Sequence, residues 1–186
     1  MRIISGNLKG KKIFFPKDKK TRPLRDLVKE SIFNLIEHSK KIKISIKEAN
    51  ILDLFSGSGS FGLECISRGA NSVVFIENYI EALNILKKNI SNLKANEKSK
   101  IINIDCFNFF KKNENSSKQY DLIFLDPPYK EKRTYNIIET IKKKNFLKKN
   151  GIIILHKHKS DNLEITKKIE VLDIRSYGIS KIIIGS

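Results

Sequence analysis

The chain has 186 residues and sets 37 Lys and Arg against 20 Asp and Glu, a formal net charge of +17. That length fits one domain with a full core of its own. The only cysteines, Cys65 and Cys106, exclude a disulfide framework and a cysteine-built metal site. No signal peptide opens the chain and no apolar run approaches the roughly 20 residues of a membrane span, so a soluble, cytoplasmic protein is expected. The excess of base over acid favours a polyanionic partner, RNA or DNA.

Arg2 to Ser5 and Lys12 to Phe15 are short β-like runs around Gly6 and Gly10 and read as a small hairpin. Around them lie Lys9, Lys11, Lys12, Lys17, Lys19, Lys20, Arg22 and Arg25, a basic run suited to phosphate contact. From Asp26 to about His38, Val28, Ile32, Leu35 and Ile36 follow helical spacing, with Asp26 at the positive end of the dipole. Ser39 to Glu48 is a lysine-rich connector.

Ile51, Leu52, Leu54 and Phe55 form a short apolar run with the look of a strand covered on both faces. Ser56 to Ser60 is a glycine turn, and Phe61 to Ile66 continue as helix. Strand and helix then alternate. Ser72 to Glu77 is a strand, Ile80 to Leu93 a helix with Leu83, Leu86 and Ile90 on one face, and Lys100 to Ile104 a third strand. Phe107 to Lys111 is a short helix and Asn113 to Lys118 a polar loop. Tyr120 to Leu125 is a fourth strand, Ile137 to Phe146 a helix, and Gly151 to Leu155 a fifth strand. Two more strand-like runs, Ile165 to Ile174 and Ser180 to Ile184, flank Tyr177-Gly178. This order predicts an α/β fold with a Rossmann-like, seven-stranded, mostly parallel sheet. An antiparallel C-terminal hairpin closes one edge, and a small β-hairpin and helix precede the sheet.

Gly57-Ser58-Gly59-Ser60-Phe61-Gly62 has the letters of a dinucleotide fingerprint, a weak signal alone. Such a turn leaves backbone N–H groups at a helix N-terminus, where glycines let a ligand approach. Asp53 sits at the strand end, placed to face a cationic ligand group or to serve as a buried structural acid. Glu77 ends the second strand, the place for an acid that holds two ribose hydroxyls. Asp105 ends the third strand; it can accept from an adenine amine or cap the helix that follows. Asp126-Pro127-Pro128-Tyr129, after the fourth strand, is the most specific pattern. Consecutive prolines fix the backbone, so the Asp126 carboxylate and the carbonyl between the prolines become rigid acceptors, with Tyr129 as a flat face. Such a corner can hold a planar amino group against a methyl donor.

On these residues the chain resembles the RsmD family of 16S rRNA guanine-N2 methyltransferases, which have the class I S-adenosylmethionine-dependent fold. Arg2-Ile-Ile-Ser-Gly6 with Gly10-Lys-Lys, and Arg22-Pro23 followed by Asp26, Val28, Lys29, Glu30 and Phe33-Asn34, carry the family likeness. Leu52 to Gly59, Glu64, Ser67 to Ala70, Glu77 and Asp126 to Tyr129 fit its methyltransferase motifs. Tyr177-Gly178 is like its usual ending. The resemblance implies a single methyltransferase domain over 1–186. Residues 1–25 would be a basic hairpin extension and 26–186 an S-adenosylmethionine-binding catalytic core. It implies that Asp53, Phe55, Ser56, Gly57, Ser58 and Gly59 hold the methionine part of the donor, Glu77 its ribose and Asp105 its adenine. Asp126, beside the donor, would receive the guanine with Pro127, Pro128 and Tyr129. Lys9, Lys11, Lys12, Arg22 and Arg25 would contact 16S rRNA, presented by an assembling small subunit to a monomeric enzyme. No metal and no covalent cysteine intermediate are expected.

The chain departs from the family pattern at Leu24, where threonine is common, and at Leu27, where arginine is usual. His156 and His158 stand where an acid is expected and are read as solvated. The same Asp-Pro-Pro-Tyr motif also serves adenine-N6 methyltransferases acting on DNA or another RNA. A nicotinamide-dependent oxidoreductase and a nucleic-acid-binding module without catalysis are the other readings.

Overall fold

The computed structural model describes residues 1–18, 24–113, 117–128, 131, 133–161 and 168–186. Apolar runs form the strands β1 (Asn50–Leu54), β2 (Ser72–Glu77), β3 (Ser99–Asn103), β4 (Tyr120–Leu125), β5 (Leu147–His158), β6 (Val171–Tyr177) and β7 (Ser180–Gly185). The helices between and before them are α1 (Asp26–His38), α2 (Ser60–Ser67), α3 (Ile80–Asn92), α4 (Cys106–Lys112) and α5 (Thr134–Lys143). One seven-stranded sheet results, ordered β3-β2-β1-β4-β5-β7-β6. The first five strands are parallel, and β7 pairs antiparallel with both β5 and β6.

The sheet is buried on both sides because its side chains alternate between two apolar clusters. Ile51, Phe75, Leu122, Phe124, Ile152 and Ile154 face one way, with α1, α2 and Leu86 and Ile90 of α3. Leu52, Leu54, Val74, Ile76, Ile123 and Leu155 face the other, against Phe109 and Phe110 of α4 and Ile137, Ile138 and Ile141 of α5. Each such side chain fully removed from water contributes roughly 1.5–3 kcal/mol. On the first face Phe33, Phe61 and Phe124 form a stacked column, with centroids 5.3 and 3.9 Å apart.

The chain travels outward through β1, β2 and β3, then returns to start β4 on the opposite side of β1. This reversal opens a crevice beyond the carboxyl ends of β1 and β4, the usual ligand position in an open α/β sheet.

The N-terminal hairpin is closed by a single antiparallel bridge, Arg2 with Lys12. It is anchored instead by side chains. Glu64 of α2 is completely buried and accepts the N–H groups of Ile4 and Ser5 at 2.8 and 2.9 Å. Lys29, equally buried on α1, lies 3.5 Å from Glu64 and donates to the Arg2 carbonyl and Ser60 Oγ. Helix α1 begins at Asp26 without a side-chain cap.

Several boundaries differ from the sequence expectation. β5 runs on through His158, and α5 starts three residues earlier, at Thr134. β6 begins at Val171; the predicted strand start at Ile165 lies outside the described residues. Among the described residues no helix is long and apolar enough to cross a membrane.

Candidate active site

After β1 the backbone turns sharply. Phe55 and Gly57 take φ of 59° and 55°, and Gly59 takes 81° as it opens α2. A non-glycine residue in this left-handed region is strained, and Phe55 sits there at the mouth of the crevice. A Cβ on Gly62 would lie 2.3 Å from the Phe75 ring, so this glycine is what lets α2 pack against β2. Ser56 ties the turn to β2 through its N–H and hydroxyl, both donated to the Ile76 carbonyl.

Four acids converge on this turn. Asp53 is 1% exposed, and its Oδ2 accepts the Gly62 N–H at 3.1 Å. Burial pushes its carboxyl well above the usual range, and the charges of Asp126 and Glu77 push the same way against the Gly62 hydrogen bond. Glu77 at the end of β2 accepts the Gly57 N–H at 2.7 Å and those of Asn78 and Tyr79 at 2.9 Å each. Asp105 caps α4, its Oδ1 accepting from Phe107 and Asn108. Asp126 stands one residue beyond β4. The register Leu54 opposite Leu125 sets it directly beside the glycine turn.

A cleft of about 1060 Å³ joins these parts. Asp53, Phe55, Ser56, Gly57, Ser58, Glu77, Asp105, Asp126, Pro127 and Pro128 all line it, and Arg25 reaches its edge. Gly59 is buried within the turn behind it. Lys9, Lys11 and Lys12 are exposed on the N-terminal segment outside the cleft. Tyr129 and Arg22 lie outside the described residues. Leu24 is buried and faces the cleft, whereas Leu27 is 66% exposed. Among the described residues, no three His, Cys, Asp or Glu side chains gather as a metal site. The cleft is acidic in a basic protein, so it suits a cationic ligand inside while the exterior suits a polyanion.

His156 corrects the sequence reading. It is not solvated: it is 7% exposed, it lines the cleft, and its Nδ1 lies 2.8 Å from Asp126 Oδ1. The alternation of Ile152, Ile154 and His156 along one strand carried that signal. His158 remains at the surface, bonded to Ser160 Oγ. The sequence reading also missed Phe15, Tyr79 and Ile179 on the cleft wall. Phe15 arrives there because fully buried Asn89 of α3 clamps the N-terminal segment. Its amide accepts from Phe14 N–H and donates to the carbonyls of Phe14 and Ser58.

A family described as "Conserved hypothetical protein 95" matches residues 1–186. The chain is 36% identical over 168 residues to "Ribosomal RNA small subunit methyltransferase D" of Buchnera aphidicola subsp. Acyrthosiphon pisum, covering 89% of this chain and 82% of that one. It is 33% identical over 180 residues to the protein of the same name from Haemophilus influenzae, covering 96% and 90%. A solved structure of a putative methylase from Haemophilus influenzae superposes with a TM-score of 0.78 at 30% identity, over 99% of this chain and 96% of that one.

Proposed function

The chain belongs to the Conserved hypothetical protein 95 family, the RsmD family, and on that premise we propose that it methylates the exocyclic N2 of a guanine in 16S rRNA. S-adenosylmethionine is the donor, and it supplies an already activated methyl group. The cleft fits such a donor: its acids match a sulfonium and an ammonium, and Gly57, with φ of 55°, lines it without a side chain. Asp53 and the turn from Phe55 to Gly59 would hold the methionine end, Glu77 the ribose and Asp105 the adenine.

One observation carries the reading. The glycine turn after β1 and the Asp126-Pro127-Pro128 corner after β4 share one rim and one cleft. This supports a guanine amine held at Asp126 beside a donor held at the glycine turn. The amine's lone pair is delocalised into the base, and hydrogen bonds from its N–H groups to fixed acceptors free it for attack. When bound, the donor would supply its methyl group with the bonding electron pair left on sulfur, and Asp126 would take the proton that N2 gives up and pass it to solvent. Extruding the base costs a few kcal/mol, and Tyr129 would replace part of the lost stacking. The lysines of the N-terminal segment and Arg25 would meet the phosphate backbone. The enzyme acts as a monomer on an assembling small subunit.

The test is methyl transfer from labelled S-adenosylmethionine by the purified protein, with free 16S rRNA, small subunits lacking the modification and DNA as separate substrates. Mass spectrometry of the nucleosides should reveal N2-methylguanine in RNA from the wild type and none with Asp126→Ala. N6-methyladenine as the product would establish the other amino-group chemistry instead.

A further inference from the structure

The geometry points to His156 as the positioning residue for the Asp126 acceptor, an inference that rests on the functional reading above. β4 and β5 are parallel neighbours, with Phe124 opposite Ile154 and Leu125 opposite Leu155. The next pair in that register is Asp126 with His156. Both therefore continue the row of side chains that Phe124 and Ile154 place on one face of the sheet. The contact between them, 2.8 Å from Nδ1 to Oδ1, follows from strand register, not from the path of a loop.

Its chemistry has one direction. An ionised carboxylate can only accept, so the imidazole nitrogen that meets it carries the proton. Nδ1–H donates and Oδ1 accepts. The backbone of Asp126 is restrained by the proline that follows it, but its χ1 and χ2 are free to rotate until something holds the carboxylate. His156 supplies that hold from a buried strand position, where a hydrogen bond is stronger than in water. It commits Oδ1 and leaves Oδ2 to receive the amine and its proton. The acceptor is thus oriented before substrate arrives, and reorganisation is removed from the reaction step.

Three neighbours complete the setting. Lys157, next along β5, points away and donates to the Glu131 carbonyl while pairing with Asp161. Ile182 is the β7 residue opposite His156. Pro127, beside Asp126, is buried. None of these three offers Asp126 a donor, and among the described residues the bond to its carboxylate comes from His156.

The test compares His156→Leu, which removes the donor, with His156→Asn, whose side-chain amide can offer an N–H at the place of Nδ1. His156→Leu should lower kcat about 10- to 100-fold, with KM for RNA and the calorimetric Kd for S-adenosylmethionine each within about twofold of wild type. His156→Asn should recover most of the lost kcat. An unchanged kcat in His156→Leu, or an Asn variant no better than Leu while both bind donor normally, would overturn the assignment. Nitrogen-15 spectra of the imidazole give a readout independent of turnover. The free wild-type protein should show a protonated Nδ1 whose signal shifts in Asp126→Ala, and no shift would also overturn it. A wild type that binds donor yet methylates no guanine counts against the functional reading, and the pairing then stands or falls on the nitrogen spectrum.

Discussion

Glu77 Oε2 accepts the Gly57 N–H at 2.7 Å, so the acid that ends β2 and the turn that follows β1 are joined before any ligand enters. Oε1 takes two further amides, from Asn78 and Tyr79. A carboxylate offers about four lone-pair sites, and three are already filled. A ribose edge with two hydroxyls therefore has one open site and must displace the Gly57 bond to use a second. Glu77→Gln keeps the shape but turns one oxygen into an amino group unable to accept from either partner. The expected cost is about 1–3 kcal/mol, roughly fivefold to 150-fold in Kd for S-adenosylmethionine by calorimetry. An unaltered Kd would place the ribose elsewhere.

If Asp53 holds the donor as proposed, it should link donor affinity to pH. In the unfolded chain its carboxyl titrates near the ordinary value of about 3.9, whereas burial raises it well above that in the folded protein. Between the two values the folded state binds more protons than the unfolded one, so this group's contribution to stability falls as pH rises through that window. A cationic donor prefers the ionised form, so its affinity should rise over the same window. Asp53→Asn retains an oxygen for the Gly62 N–H and removes the buried charge. It should raise the melting temperature of the free protein at neutral pH by a few degrees, about what 1 kcal/mol does at this chain length. It should also weaken donor binding by about tenfold or more and flatten its pH dependence. A pH profile of donor affinity that is the same in the wild type and in Asp53→Asn would remove Asp53 from the donor site.

The sheet was legible because its signals are local: runs such as Ser72–Glu77 and Tyr120–Leu125 are bounded by turns and buried on both faces, and their predicted limits agree with the structure. The acids at strand ends were legible for the same reason, since their place follows from where a strand stops. His156 was not, because its role depends on which strand lies beside β5 and in what register. The anchoring role of Asn89 was missed similarly, as was that of Lys29, which the sequence marked only as part of the family likeness. A lone polar residue on a helix face reads as solvated until the segment it anchors is known, and here that segment is 75 or 27 positions away in the chain.

The anchoring of the N-terminal segment predicts an asymmetric response to mutation. Glu64 serves Ile4 N–H, Ser5 N–H, Lys29 and Arg68 together. Glu64→Ala strands a buried ammonium and several donors, and loss of one member of a buried pair costs about 3–5 kcal/mol. Lys29→Met leaves Glu64 still satisfied by Arg68 and two amides and puts an apolar chain where burial already holds the ammonium below its usual value. Denaturant melts should rank Glu64→Ala far below Lys29→Met in stability. Equal losses would mean that the ion pair, and not the carboxylate's hold on the backbone, anchors the segment.

Phe14 fixes where the nucleic acid should lie. Lys88 of α3 and Lys12 of the N-terminal segment approach its ring, with Nζ 4.4 and 5.9 Å from the centroid, so two chain segments present their cations together. Asn89, next to Lys88, clamps Phe14 and the glycine turn at once, which holds this basic surface at a fixed distance from that turn. The proposed RNA surface therefore extends from the N-terminal lysines onto α3. Lys12→Glu with Lys88→Glu should raise KM for RNA at least tenfold without changing donor Kd or melting temperature by more than the error of measurement. The slope of log affinity against log salt should shrink by about 0.7 for each single-strand phosphate that the variant no longer neutralises. If RNA affinity falls but that slope does not, the lysines act through Phe14 and the clamp rather than by meeting phosphate. If neither changes, the RNA does not meet this surface.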